Sequence, residues 1–282
     1  MPKIFQTFFA MLISLTILGS SAASAQDRAI SKFFSRANEA SNLEVDNADW
    51  AYILRKYISV GPTGISRFNY AAVTSADRDR LKRYISSLEN LDPRKLNLNE
   101  QHAYWINLYN SLTVQVVLDH YPIWSIKEIK SGIFTPGPWD LPIAKIAGRT
   151  LTLNNIEHDI LRANWHDPRV HYALNCASLG CPNLAAEPYS GKHLDAQLNS
   201  AARSFINHPR AVLVKDGQVT LSKIYNWYAS DFGNGSHEAI LEHLRHYANP
   251  ALEVELKRYP IIKAYQYDWR LNAPGLLFSL SD

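Results

Sequence analysis

Residues 154–182 (NNIEHDILRANWHDPRVHYALNCASLGCP) contain both cysteines of the sequence and three of its ten histidines. These residue types support three kinds of chemistry. A cysteine acts as a nucleophile when a neighbour favours its thiolate, usually a histidine oriented by a third polar group. Cys176 would be that nucleophile, and His158 or His171 the base. Asn175, Asn107 or Glu157 could orient the imidazole. The second possibility is a disulfide between Cys176 and Cys181, which would close a short loop and contribute roughly 2 kcal/mol in the chain-entropy view. A reversible dithiol is the third, although redox pairs usually have a tighter C-x-x-C at a helix start.

Metal chemistry is disfavoured. Glu157, His158 and His171 amount to two histidines and a carboxylate, but adjacent residues on a helix point about 100° apart. C-x4-C lacks the paired spacing of structural zinc, and H-E-x-x-H does not occur. No metal and no cofactor are expected. Glu157 also stands at the fourth position of a capping box that begins at Asn154. His158 and Arg162 lie four apart and share a helix face, as an anion-binding pair or with Arg162 in a surface salt bridge.

These side chains need elements to hold them. Asn154 to about Ala163 reads as a helix. Val170–Cys176 (VHYALNC) alternates as a short buried strand, with His171 and Cys176 on opposite faces. The longest helical pattern, 97–121, is apolar on nearly every side and begins with Asn97 and Glu100 in capping positions. Asn107 and Asn110 sit three apart within it. They are either a hydrogen-bonded polar pair in the core or a wall of a ligand pocket.

Further helices are expected at 49–60, 75–91, 194–206, 223–229 and 238–247. Hairpins are expected at 143–153, turning at Ala147-Gly148, and at 211–221, turning at Asp216-Gly217. A closing strand is expected at 261–269. The Pro- and Gly-rich loop 132–142 surrounds Trp139. Asp231-Phe232-Gly233 has no kinase context, because neither a glycine-rich nor a catalytic loop accompanies it.

Composition limits the function class. At 46% hydrophobic and 20% charged, 282 residues can bury a sizeable core. A net charge of +3 with scattered Lys and Arg gives no nucleic-acid footprint. Lys3, the apolar run Phe8–Leu18 and Ala23-Ser24-Ala25 read as a cleavable export signal over residues 1–25. The expectation is a periplasmic or secreted protein with no stable membrane anchor after cleavage, its residues 26–282 forming one globular domain.

Four segments together resemble the domain-of-unknown-function family 547: QHAYWINLYNSLTVQ (101–115), LTLNNIEHDILR (151–162), DPRVHYALNCASLGCP (167–182) and YDWRLN (267–272). The family pattern combines a W-I-N-x-Y-N helix, an I-E-H-x-x-L-R helix and an R-x-H-x-A-L-x-C segment followed by a second cysteine and proline. The resemblance extends over roughly 49–272. It implies that Asn107, Asn110, Glu157, His158, Arg162, His171, Cys176 and Cys181 form one set, without assigning roles. Relatives that carry the domain beside thioredoxin-like modules point toward thiol chemistry.

The expected fold is α+β: a mainly helical body around the central helix with a small, mostly antiparallel sheet that includes the Val170–Cys176 strand. The expected function is a cysteine-centred hydrolase or acyl-transfer site. Cys176 would be its nucleophile and His158 or His171 its base, with Asn107, Asn110 or Arg162 positioning a small-molecule or peptide ligand. The alternative is a disulfide-stapled binding protein that holds a small anionic or polar ligand through His158 and Arg162.

Overall fold

A computed structural model of the protein describes residues 28–132 and 135–275. The export signal expected at residues 1–25 lies outside them. The fold is α+β and mainly helical. Its axis is the helix Leu98–His120, which is buried at every position from Glu100 to Leu118. Asn97 caps its start by accepting a hydrogen bond from the Glu100 N–H at 3.0 Å. The reciprocal half of the expected box is absent. The Glu100 carboxylate reaches away instead, accepting from the backbone N–H groups of Val45 and Gly191 at 2.9 and 2.6 Å.

Ser75–Asn90 packs along the central helix, and its N-terminus is capped by Thr74. Ala48–Tyr57 packs on Ser75–Asn90 in turn through Trp50, Ile53, Leu54 and Tyr57, its one apolar stripe. Leu194–Ile206 and His237–Tyr247 close the other end of the molecule.

Among the described residues the strands form three small sheets, not one. β1 (Ile58–Val60) pairs antiparallel with β2 (Ser66–Phe68), and β3 (Ala144–Ile146) with β4 (Arg149–Leu151). β5 (Val212–Lys215) pairs antiparallel with β6 (Gln218–Ser222), and β7 (Ile262–Gln266) adds parallel to β6. Both expected hairpin tips form. Asp216 and Gly217 both take positive φ, 51° and 72°, the backbone such a two-residue turn requires.

One expected strand is wrong. Val170–Ala173 is a single turn of α-helix, and only Leu174 onward is extended. The turn spans two cores. Val170 and Ala173 pack with the central helix, while Tyr172 enters a second cluster with Phe205, Phe232 and Leu241. Burial on both sides suited an apolar strand and a helical turn equally well, so alternation alone misread it.

The two central asparagines explain how the chain stays in place after that turn. They do not bond to each other. Asn107 donates to the Tyr189 carbonyl and accepts from its N–H, at 2.8 and 2.9 Å. Asn110 donates to the Ala173 carbonyl and accepts from the Asn175 N–H, at 2.9 and 2.8 Å. Each amide replaces a missing strand neighbour for a buried backbone segment. Asn110→Ala would orphan both backbone groups. It is expected to cost about 2–4 kcal/mol, measurable as a lowered urea midpoint with an unchanged m-value.

Candidate active site

Cys176 follows the Asn110 clamp by one residue and stands at the edge of a pocket of about 240 Å³. Glu157, His171, Leu174, Cys181 and Pro182 line this pocket together with Tyr109, Trp139, Trp227, Tyr228, Tyr267 and Trp269. It is therefore a small cavity with an aromatic wall and a few polar groups, the usual character of a ligand site.

The loop that carries the cysteines is held on both sides. Asn175 donates to the Pro182 carbonyl at 2.8 Å and accepts from the Ala177 N–H at 2.9 Å. Across the loop, Leu179 N–H donates to the Arg270 carbonyl and Gly180 N–H to that of Asp268, both at 2.8 Å. Gly180 must be glycine for this contact, because a Cβ there would lie 2.6 Å from the Asp268 nitrogen. The same pairing brings Tyr267 and Trp269 to the pocket.

Cys176 and Cys181 are free thiols, so the expected disulfide is not present. Their sulfurs lie 2.9 Å apart, well beyond a covalent S–S bond of about 2.05 Å. Tyr267 Oη is 2.9 Å and Ser178 Oγ 3.4 Å from the Cys176 sulfur. The backbone N–H of Cys176 donates to the Cys181 sulfur at 2.9 Å. Hydrogen bonding with Cys181 foremost, and with Ser178 and Tyr267, holds the Cys176 pKa below that of an ordinary thiol in spite of burial. Burial and the bond with Cys176 push Cys181 up. The Cys181 thiol also points its proton at the Leu174 carbonyl at 3.6 Å.

His171 and Cys176 line the same pocket. The helical turn removes the opposite-face constraint that a regular strand would impose. His171 Nε2 is 2.7 Å from Asp231 Oδ2, and the ring stacks on Tyr228 at 4.1 Å. Because Asp231 also receives Arg162 through two hydrogen bonds of 2.5 and 2.8 Å, it acts as an acceptor, and Nε2 carries the proton toward it. Burial opposes ionisation of Asp231, but Arg162 and then His171 outweigh it and keep the carboxyl far below the usual range.

Glu157 is not the expected helix cap. Thr152 Oγ1 accepts from the Asn155 N–H, and Asn155 Oδ1 accepts from the Thr152 N–H, each at 3.0 Å. This reciprocal box begins two residues earlier than expected and releases Glu157 from capping. The helix then widens to π geometry over Asn155–Arg162. Glu157 is 7% exposed, lines the pocket and accepts from Tyr109 Oη at 3.1 Å. His158 and Arg162 do share a face, with His158 Nδ1 2.8 Å from Arg162 Nη1. Neither lines the pocket, and Arg162 is spent on Asp231. Asn107 and Asn110 are likewise spent on backbone. Among the described residues no cluster of His, Cys, Asp and Glu could hold a metal ion.

Sequence reasoning missed Asp231, Tyr228, Tyr267 and the pocket's tryptophans. The available signal was the pairing of aromatic and acidic residues in NWYASDF (226–232) and YDW (267–269).

Residues 93–206 match the family model described as "Protein of unknown function, DUF547". That segment is a DUF547 domain. No curated protein and no solved structure matches it. The matched segment supplies Tyr109, Trp139, Glu157, His171, Cys176 and Cys181. The remaining wall, from Trp227 to Trp269, and the Asp231 anchor come from beyond it.

The Asp231 network has a pH signature. Its folded pKa is depressed, so its contribution to stability is complete above the unfolded aspartate value of about 3.9 and is lost as pH falls below it. Asp231→Asn is expected to lower stability at pH 7 and to flatten the fall in melting temperature below pH 4. Thermal melts of both proteins from pH 7 to pH 2 would check this.

Proposed function

We propose that the pocket is the active site of a cysteine-dependent acyl transferase or hydrolase. The observation that carries this reading is the placement of Cys176: a free thiol 2.9 Å from the Cys181 sulfur and 2.9 Å from Tyr267 Oη, on a cavity that His171 also lines. The Cys176 thiolate would attack the carbonyl carbon of an ester, thioester or amide. The leaving group would depart with a proton, and the acyl group would remain as a thioester on Cys176. Attack by water or another nucleophile would release it and regenerate the thiolate.

His171 suits the proton transfers. With Nε2–H directed at Asp231, Nδ1 is the nitrogen left to exchange protons, and the carboxylate steadies the imidazolium as it forms. Tyr228 fixes the ring plane from the other side. The aromatic wall would receive the substrate's apolar body and exclude water from the thioester. His158 has no part in this scheme, and neither asparagine contacts substrate.

The reading includes export: residues 1–25 would be removed, and the mature protein would act outside the cytoplasm with Cys176 reduced. The expected test result is selective modification of one thiol. Iodoacetamide should alkylate Cys176 before Cys181, and the midpoint of its pH–rate profile should lie below that of a free cysteine at about 8.5. Tyr267→Phe should raise that midpoint. Activated aryl esters should give an acylated protein, located at Cys176 by mass spectrometry and absent in Cys176→Ala. Equal labelling of both thiols at the ordinary thiol midpoint would count against the scheme.

A further inference from the structure

The charges around the pocket are unevenly paired. Asp231 takes two basic partners, Arg162 and His171, in its wall. Glu157 takes none among the described residues. Its partners are the hydroxyls of Tyr109 and Tyr228. A buried carboxyl whose hydrogen-bond partners are hydroxyls has only Arg162, acting through space, as a counter-charge, and burying a poorly compensated charge is costly. The open side of Glu157 faces the cavity.

That cavity is lined by three tryptophans, Trp139, Trp227 and Trp269, which lie on one another. Trp227 is 5.6 Å from Trp269, and Trp139 meets Trp269 edge-on at 5.8 Å. Trp227 is 43% exposed although large and apolar, at the mouth of the pocket. Rings of this wall already attract cations from within the protein. Lys127 Nζ lies 5.1 Å over Trp269, and the Arg162 guanidinium 4.9 Å over Tyr228. Aromatic rings beside an anionic group make an environment in which a cation without strong hydration is favoured over a neutral group of the same shape.

We propose that the pocket recognises a small organic cation, a substituted ammonium group that docks against Glu157 within the tryptophan wall. This rests on reading the cavity as a substrate site. It makes the acyl donor or acceptor handled by Cys176 an amine- or ammonium-bearing molecule. The carboxylate supplies the opposite charge, the rings supply polarisable contact, and a volume of about 240 Å³ limits the group to a compact head.

The test compares choline chloride with 3,3-dimethylbutan-1-ol, its neutral isostere. Each is titrated against the full chain at matched ionic strength, followed by tryptophan fluorescence and calorimetry. Choline is expected to bind roughly tenfold or more tightly than the alcohol, and Glu157→Gln to remove that preference. Equal affinity for the two, no binding of choline, or a preference that survives in Glu157→Gln would each overturn the proposal. The wild-type comparison is decisive even if the variant folds poorly, which near-UV circular dichroism would reveal. Acylation of Cys176 by aryl esters, followed in parallel, separates the two readings. Choline preference without acylation sinks the acyl-transfer scheme and leaves the cation site. Acylation without choline preference does the reverse.

Discussion

The arrangement depends on one amide. Asn110, in the middle of a fully buried helix, offers its carbonyl and its NH2 to the backbone of residues 173–175. That segment has just left a helical turn and has no strand beside it. Without the amide, two buried backbone groups next to Cys176 would be unpaired, and the cost would fall on the loop that carries both cysteines. The central helix therefore does more than fill the core. It acts as a rigid rail from which side chains reach out to hold backbone that no sheet holds.

The pocket shows a consistent division between holding and reacting. Asn107, Asn110, Asn175 and Gly180 each satisfy or approach main chain, and they fix where the loop runs. Arg162 and Asp231 form a bidentate pair whose role is to fix His171. The groups that remain open to the cavity are fewer, among them a cysteine thiol, an imidazole and one carboxyl group. The aromatic side chains around them keep the local dielectric low, which strengthens every electrostatic interaction inside.

Much of this frame was legible in the sequence. The central helix, its asparagine cap and both hairpin tips follow from local rules that the structure obeys. So does the α+β, mainly helical architecture. The failures came where two local signals competed or where the signal was tertiary. Asn154 and Glu157 formed a plausible box, but Thr152 and Asn155 formed a better one earlier, and only side-chain geometry distinguishes them. Val170–Asn175 is buried throughout, so its period carried no information about helix against strand. The disulfide was expected from cysteine count and export; the loop instead keeps two sulfurs adjacent and unbonded. The aromatic wall was invisible because its members come from separate parts of the chain, and periodicity says nothing about which distant loops will meet.

That dispersal has a consequence for how the protein is made. The pocket's last wall is Tyr267-Asp268-Trp269, secured when Leu179 and Gly180 bond to Arg270 and Asp268. A ribosome completes the cysteine loop almost ninety residues before it adds that wall. Until the C-terminal segment docks, Cys176 lacks Tyr267, its nearest hydroxyl donor, and the cavity is open on one side. The surroundings of the Cys176 thiol are thus completed only at the end of folding. A molecule clipped ahead of residue 267 would keep both cysteines and the whole family-matched segment, yet it would not possess the site.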